Sequence, residues 1–328
     1  MKSKSRRRIK FSNLILILCI AICLIFAVDT IIRIFNRSEV DNIISDGNFS
    51  SNSSSAQTTV ITTTATEKPS GNNEDKTKET TTTEDSDYEI IDVSNDEIHN
   101  GSLILVSATC PYSGTPNLTD FTNISDESVI PRLPELKFQR EMQDSLISLF
   151  DAYATDNGYS NLQIHSTNET NNSEYSLYTN VLTERSTGYT FDIGLITSTG
   201  DVVPYITKRN EWMVSYCWNY GFILRYSDMK TDITGVGYMP HHFRYVGTPH
   251  SLIMNEQDLC LEEYLEFIKS YTIDKEPLTY QTANKNYEIY YIPADTTSTS
   301  TKIKIPKKDL YTISGNNTDG FILTIQKS

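Results

Sequence analysis

Hydrophobic positions along the chain follow several distinct patterns, and each pattern predicts a different kind of segment. Near the start, Leu14 to Phe35 is almost continuously apolar, which as a helix is long enough to span a bilayer. The charges before it, from Lys2 to Lys10, are all positive, which predicts a cytoplasmic tail over 1–12. We therefore predict a single-pass membrane protein with an uncleaved signal-anchor over 13–35 and an exported remainder. A cleaved signal peptide is the alternative, but the apolar run is followed by no small-residue cleavage motif.

Residues 36–95 show no hydrophobic periodicity. They are rich in Ser, Thr and Asn, with hydroxyl runs at Ser50–Ser55 and Thr80–Thr83. A segment with so little apolar surface to bury does not offset the entropy cost of ordering its backbone. We predict a disordered linker over 36–95.

From residue 96 onward, helical spacing alternates with short apolar runs. The helical spacing predicts helices over Pro134–Asn157, Asn210–Tyr220 and Asn255–Tyr271, the last of them capped by Asn255. The short runs predict buried strands at Leu103–Val106, Leu162–Ile164, Tyr220–Tyr226 and His242–Val246. The pattern predicts an α+β domain over 96–275.

After Leu278 the pattern changes to period two. Alternating residues predict three strands, Tyr287–Ile292, Lys302–Ile305 and Gly320–Ile325. So small a sheet is marginal by itself, so we expect a C-terminal β extension over 276–328 that packs on the preceding domain.

Charge and cysteine content argue against two classes of function. The formal net charge is −14, whereas nucleic-acid binding needs a basic surface, so we expect no nucleic-acid partner. Beyond the apolar N-terminal run the chain has Cys110, Cys217 and Cys260, with no Cys-x-x-Cys pair, which argues against a cysteine zinc site. The sequence leaves open one disulfide among the three, although buried free thiols are favoured.

The most distinctive stretch is Asn219–Gly247, which reads NYGFILRYSDMKTDITGVGYMPHHFRYVG. Two further stretches accompany it, ERSTGYTFD at Glu184–Asp192 and LCLEEYL at Leu259–Leu265. Together they resemble VanY-type D-alanyl-D-alanine carboxypeptidases, which are zinc metallopeptidases of bacterial cell walls. The resemblance covers Gly101 to Tyr271 and implies a core in which helices pack on a central antiparallel sheet. It also implies a place at the bacterial cell membrane, with the C-terminal domain outside the cell.

The resemblance gives roles to five positions, of which three depart from the family pattern. Asp192 and His242 stand at the second and third zinc-ligand positions. Arg185 stands at the first, where the family has histidine, and a protonated guanidinium has no lone pair for a metal. Met239 stands at the general-base position, and a thioether cannot take the proton from water. Glu169 lies near the lost arginine that would bind the substrate carboxylate, and its charge would repel that carboxylate.

The sequence does not commit any residue to replace the lost ligand. His165, His250 and Glu184 lie within range, but no paired-ligand spacing supports them, and ordinary hydrogen-bonded roles are the simpler interpretation. His241 adjoins His242 on a predicted strand, so the two side chains should point to opposite faces and not share one ion.

Two remaining ligands fall short of the three that catalytic zinc normally keeps. As a further hypothesis, Arg185 pairs with Asp192 in place of the metal. We therefore expect zinc to be absent or weakly held, and the chain to be a catalytically degenerate homologue that binds peptidoglycan stem peptide or a cell-wall protein. The alternative is an active zinc D,D-carboxypeptidase with a relocated ligand set that uses His241 or His165. A third hypothesis, an ectodomain that senses wall precursors, is disfavoured by the short cytoplasmic tail.

Overall fold

The computed structural model describes residues 87–168, 184–205 and 211–327. The chain divides into two units, Met1–Ser86 and Asp87–Ser328, and all described residues lie in the second. The predicted tail and anchor, and the predicted linker up to residue 86, therefore lie outside the described residues.

The predicted membrane localisation is corrected by the structure. Within the three described ranges, no helix is long and apolar enough to cross a membrane. The helix Gln143–Asn157 has 15 residues, whereas a bilayer requires about 20 apolar residues. The apolar run over 13–35, on which the prediction rested, is not among the described residues. The prediction is wrong for the part of the chain that the structure describes.

The described residues form short strands and helices, which are numbered in chain order. The strands are β1 Tyr88–Ser94, β2 Leu118–Asp120, β3 Ile130–Pro131, β4 Lys137–Gln139, β5 Leu162–Ser166, β6 Thr190–Ile196, β7 Val202–Pro204, β8 Phe222–Leu224, β9 His242–Tyr245, β10 Leu278–Gln281, β11 Asn286–Pro293, β12 Ser300–Pro306, β13 Leu310–Gly315 and β14 Gly320–Lys327. The α-helices are α1 Gln143–Asn157, α2 Trp212–Tyr216, α3 Thr231–Thr234, α4 His250–Glu256 and α5 Leu261–Ile268.

A mixed sheet of six strands lies at the centre of the second unit. Its order is β3-β5-β6-β9-β8, with β7 beside β6, and all neighbours are antiparallel except β3 and β5. The expectation of helices packed on a central, largely antiparallel sheet is confirmed. The predicted strand Leu103–Val106 is not part of the sheet, although three of its four residues are buried.

The two faces of this sheet differ in chemistry. Phe191 of β6 lies opposite Phe243 of β9, and both rings belong to the large hydrophobic core that includes the buried side of α1. Phe150 of α1 lies 5.9 Å from the Phe191 ring, measured between centroids. Because side chains alternate along a strand, the neighbours Asp192 and His242 face the other side, where they lie directly opposite each other.

Helix α1 begins later than the sequence predicts. The predicted start was Pro134, but Lys137–Gln139 forms β4 and pairs with β2. A 3₁₀ turn, Arg140–Met142, then leads into the helix. At the other end, Gly158 takes a left-handed conformation with φ of 75°, which ends the helix as predicted.

The two later predicted helices also differ. The helix predicted over Asn210–Tyr220 consists of α2 and a 3₁₀ turn, Cys217–Tyr220, which ends at Gly221. The helix predicted over Asn255–Tyr271 is two helices, α4 and α5. The N-cap of α5 is Cys260, whose amide donates to the side chain of Glu263 at 2.9 Å.

The C-terminal extension has five strands rather than the predicted three, and β1 pairs with one of them. Strands β10-β11-β14-β13 form one sheet, and β1 pairs with β12 in another. Their facing side chains form a core of aliphatic residues around Phe321. The end of the predicted linker, 87–95, is therefore ordered in the structure, because Ile91 and Val93 pack against this core.

Candidate functional site

Strand pairing alone brings two predicted ligand positions together. Asp192 on β6 and His242 on β9 occupy paired register positions. The Nδ1 atom of His242 lies 2.6 Å from the Oδ1 atom of Asp192. Both residues are buried, at 2% and 0% exposure. The polar face of the sheet therefore carries a buried, hydrogen-bonded Asp–His pair.

Arg185 reaches the same carboxylate from the turn before β6. The turn closes through hydrogen bonds from Thr187 and Gly188 back to residues 184 and 185, and Gly188 has a φ of 75°, which favours glycine. Arg185 Nη2 forms a buried ion pair with Asp192 Oδ2. The hypothesis of an Arg185–Asp192 pair is thus confirmed.

A bulge in β5 adds a third contact to Asp192. His165 and Ser166 together lie opposite Asp192, because the register shifts between Ile164 and Ser166. Ser166 Oγ donates to Asp192 Oδ2 at 2.5 Å. The shift thus pairs Ser166, and not His165, with Asp192.

Electrostatic contacts shift the pKa values of Asp192 and His242 in opposite directions. Burial by itself would raise the pKa of Asp192, but His242 and then Arg185 hold it well below its usual range. Burial would lower the pKa of His242, but Asp192 and then Glu184 raise it above its ordinary value. The contacts thus lower the pKa of the carboxyl and raise that of the imidazole.

Glu184 forms a second layer behind this pair. Its Oε1 atom accepts from Arg225 Nε at 2.9 Å and from Arg244 Nη1 at 3.1 Å. Its Oε2 atom accepts from the Tyr226 hydroxyl at 2.9 Å and lies 3.7 Å from His242 Nε2. Glu184 is fully buried, and its charged contacts, above all that with Arg225, outweigh burial and hold its pKa well below its usual range.

The two arginines tie this layer to distant parts of the chain. Arg225 also binds Glu262 of α5 through both terminal nitrogens, at 2.9 and 2.7 Å. Arg244 donates to the carbonyl oxygens of Ser102 and Ile104, at 3.0 and 3.2 Å. Sequence reasoning missed this layer, although arginines in two otherwise apolar strands were a signal, since a buried arginine needs a buried acceptor.

Met239 sits in apolar surroundings. It is 2% exposed and packs with Tyr226 and Val236. Its amide donates to the Tyr226 carbonyl oxygen at 3.0 Å, while its carbonyl accepts from the His242 amide at 3.2 Å. The backbone at this position is thus well ordered around a side chain that cannot act as a base.

The other candidate residues have different fates. His241 is half-buried, and burial lowers its pKa while Asp192 acts against that lowering. His250 lies away from the site, since its Nδ1 atom is 2.6 Å from the Tyr264 hydroxyl and its Nε2 atom is 3.0 Å from Thr324 Oγ1. Glu169 lies outside the described residues.

Comparison with known proteins places this fold in a family. The profile described as "VanY: D-alanyl-D-alanine carboxypeptidase" matches residues 150–248. A D-alanyl-D-alanine carboxypeptidase of Enterococcus faecium is 30% identical over 247 residues, which are 71% of this chain and 78% of that protein. The bifunctional D-Ala-D-Ala dipeptidase and carboxypeptidase VanXYC of Enterococcus gallinarum is 39% identical over 89 residues, which are 26% of this chain and 47% of that protein.

A solved structure agrees over a similar length. The vancomycin resistance D,D-dipeptidase VanXYg, crystallised with a D-Ala-D-Ala phosphinate analog, superposes with a TM-score of 0.61 at 31% identity. The match covers 73% of this chain and 99% of that chain. The chain belongs to the VanY family of D-alanyl-D-alanine carboxypeptidases, which act in cell-wall peptidoglycan metabolism.

Relatives of the family are zinc-dependent carboxypeptidases, so the fit of a zinc ion can be tested on these residues. Asp192 and His242 are suitable ligands, but Arg185 brings a fixed positive charge onto the same carboxylate. Among the described residues, no three His, Cys, Asp or Glu side chains converge as a metal site would require. The residues around Asp192 do not fit the ion.

Proposed function

We propose that this chain is a non-hydrolysing member of the carboxypeptidase family, and that it binds peptidoglycan stem peptides. The observation that carries the proposal is the buried contact between Arg185 and Asp192. Hydrolysis in the family requires a cation with an open coordination position to activate water. A guanidinium has no such position, because it interacts only through its N–H donors.

The surroundings of Met239 support the same conclusion. Activation of water by a general base needs a group that can take the proton and that water can reach. Met239 is a buried thioether in contact with Tyr226 and Val236. The two functions of the family site, metal binding and proton transfer, thus both lack their groups at these positions.

The names of the relatives support the choice of ligand class. They are named for D-Ala-D-Ala hydrolysis, and one was crystallised with a D-Ala-D-Ala phosphinate analog. This chain shares its fold with VanXYg, and its own buried layer around Glu184 holds the polar face of the sheet in place. We infer that it retains a groove for a peptide that ends in D-Ala-D-Ala.

The test uses the purified full-length chain, treated with a chelator and then dialysed against zinc. We expect less than one zinc per ten chains by elemental analysis and no release of D-Ala from a stem pentapeptide. Calorimetry should detect binding of the pentapeptide that ends in D-Ala-D-Ala, and a peptide that ends in L-Ala-L-Ala is the control. Equal affinity for both peptides, or no binding of either peptide, would contradict the proposed ligand. The search would then turn to a cell-wall protein.

An active enzyme with relocated ligands is the alternative, and one observation favours it. His241 lies beside Asp192, because its carbonyl oxygen accepts from the Ile193 amide at 3.0 Å, and the bulge in β5 brings His165 next to the residue that pairs with Asp192. In that case the wild-type chain should hold about one zinc, as a catalytic site does, and release D-Ala. Both properties should then be lost in His241→Ala.

A further inference from the structure

On the polar face around Asp192, the side chains are arranged as in a metal site except at one position, that of Arg185. Asp192 uses Oδ1 for His242, while Oδ2 accepts from Ser166 and Arg185. Behind His242, the Glu184 carboxylate lies near Nε2 and is itself fixed by two arginines. A carboxylate that faces the far nitrogen of a histidine is the usual support of a metal-ligating histidine, because it fixes the orientation of the ring.

These contacts divide the site into a supporting layer and one position, that of Arg185, which departs from the family pattern. The supporting layer consists of Glu184, Arg225, Arg244 and Tyr226, and all four side chains are bonded within it. The change lies at Arg185, whose side chain is 3% exposed and whose charge sits on the Asp192 carboxylate. A buried carboxylate needs a compensating cation.

We propose that the Arg185 guanidinium is a permanent replacement for the metal ion, which makes the folded state independent of metal, and that the layer behind it is a preorganised metal site lacking one ligand. Arginine suits this role better than lysine. Its planar group keeps its charge at all accessible pH values and offers several donors in fixed directions. The inference rests on the proposed function in one respect only: both take the Arg185 guanidinium to occupy the place of the family's metal ion.

The test compares the thermal stability and metal content of three full-length proteins. Wild type should melt at the same temperature with zinc or with a chelator. Arg185→His should melt lower than wild type in chelator, and zinc should restore most of the loss, because an ion that binds only the folded state stabilises it. Arg185→Gln is the matched control: it should also melt lower than wild type, but zinc should not help, because the amide removes the charge without adding a suitable ligand.

Metal analysis checks the assignment of ligands. Arg185→His should hold about one zinc per chain, as expected for a site with three protein ligands and one open position. Adding Asp192→Asn in the same protein should abolish the zinc. Cobalt in place of zinc should give the visible absorption of a tetrahedral ion in Arg185→His and none in wild type.

Two outcomes would overturn the inference. One is an Arg185→His protein that folds but binds zinc no better than Arg185→Gln. The other is a wild type whose melting temperature falls in chelator. If Arg185→His does not fold by itself, refolding with and without zinc decides the matter: we expect folding only with zinc, and failure in both would show that the layer is not preorganised.

These results are distinguishable from a failure of the proposed function. A wild type that releases no D-Ala and binds no peptide contradicts the proposed function, while leaving the zinc behaviour of Arg185→His as expected. A wild type that binds peptide, together with an Arg185→His protein that binds no zinc, contradicts only the inference.

Discussion

At the residue scale, His250 shows how a histidine can be structural and still make stability depend on pH. It bridges the Tyr264 hydroxyl of α5 and the Thr324 hydroxyl of β14. It is 5% exposed, and burial lowers its pKa to about 3. The neutral ring can donate with one nitrogen and accept with the other, which suits two hydroxyl partners.

We predict that stability falls below pH 6.5 because of this residue. Between pH 6.5 and pH 3 the unfolded chain protonates His250 and the folded chain does not, so unfolding is favoured by up to about 1.4 kcal/mol per pH unit. Urea unfolding at pH 7, 6 and 5 would measure the slope. His250→Gln is the control, and its slope should be shallower by that amount; parallel slopes would contradict the assignment.

The residue scale also shows what a single sequence can reveal about a site. Asp192, His242 and Arg185 could be named in advance because the motif fixes their neighbours in the chain. The Arg185–Asp192 pair was expected because the resemblance places these opposite charges at one former zinc site. Glu184 was considered only as a spare ligand. Its role could not be predicted, because its partner Arg225 directly follows β8 and its partner Arg244 lies in β9, and no local pattern specifies the register of these two strands.

At the element scale, the start of α5 illustrates the same limit. Asn255 is a good N-cap residue, and it was predicted to cap a long helix. In the structure Asn255 lies within α4, whereas the cap of α5 is Cys260 with Glu263 three residues later. The helical spacing runs through both helices, so the break at residues 257–260 was hidden from it.

We predict that two substitutions at this boundary lower stability by different amounts. Glu263→Ala should lower stability by about 1 kcal/mol, because it removes the acceptor for the Cys260 amide and a contact with Lys230. Asn255→Ala, at an exposed position of α4, should change stability by less than about 0.5 kcal/mol. Urea unfolding of both variants measures these changes in stability. A larger loss in Asn255→Ala than in Glu263→Ala would contradict the observed boundary and support the single long helix that the sequence predicted.

At the scale of the whole second unit, the C-terminal extension shares a hydrophobic core with the helices of the carboxypeptidase domain. Ile289 of β11 and Ile322 of β14 belong to the same cluster as Leu103, Ile253 and residues along α5. The sequence predicted that the extension packs on the domain, but β1 was missed, because its single short alternation ends a long polar segment. Its pairing with β12 depends on residues about 200 positions away, as where Val93 lies opposite Thr301.

We predict that a cavity in the extension is felt in the carboxypeptidase domain. The two tryptophans of the chain are Trp212 and Trp218, so their fluorescence reports that domain alone. Ile322→Ala, a fully buried position, should lower the stability seen by tryptophan fluorescence by about 2–5 kcal/mol.

The control for this experiment lies in the same extension. Leu310→Ala removes a side chain that is 70% exposed and should leave the fluorescence transition almost unchanged. Circular dichroism should follow the same transition as fluorescence in both variants. If Ile322→Ala shifts the circular dichroism alone, the extension unfolds separately and the shared core is not cooperative.

The phenylalanine pair of the central sheet has a consequence for how such proteins are classified. Phe191 and Phe243 must face the core, and a register slip of one residue would turn them to the opposite face. Their neighbours Asp192 and His242 are therefore carried into juxtaposition by folding itself. The hydrophobic core therefore fixes how close positions 192 and 242 lie, whatever chemistry their side chains perform. The closeness of an aspartate and a histidine in these places is thus a property of the fold, and a judgement about activity has to come from the side chains around them, such as Arg185 and Met239.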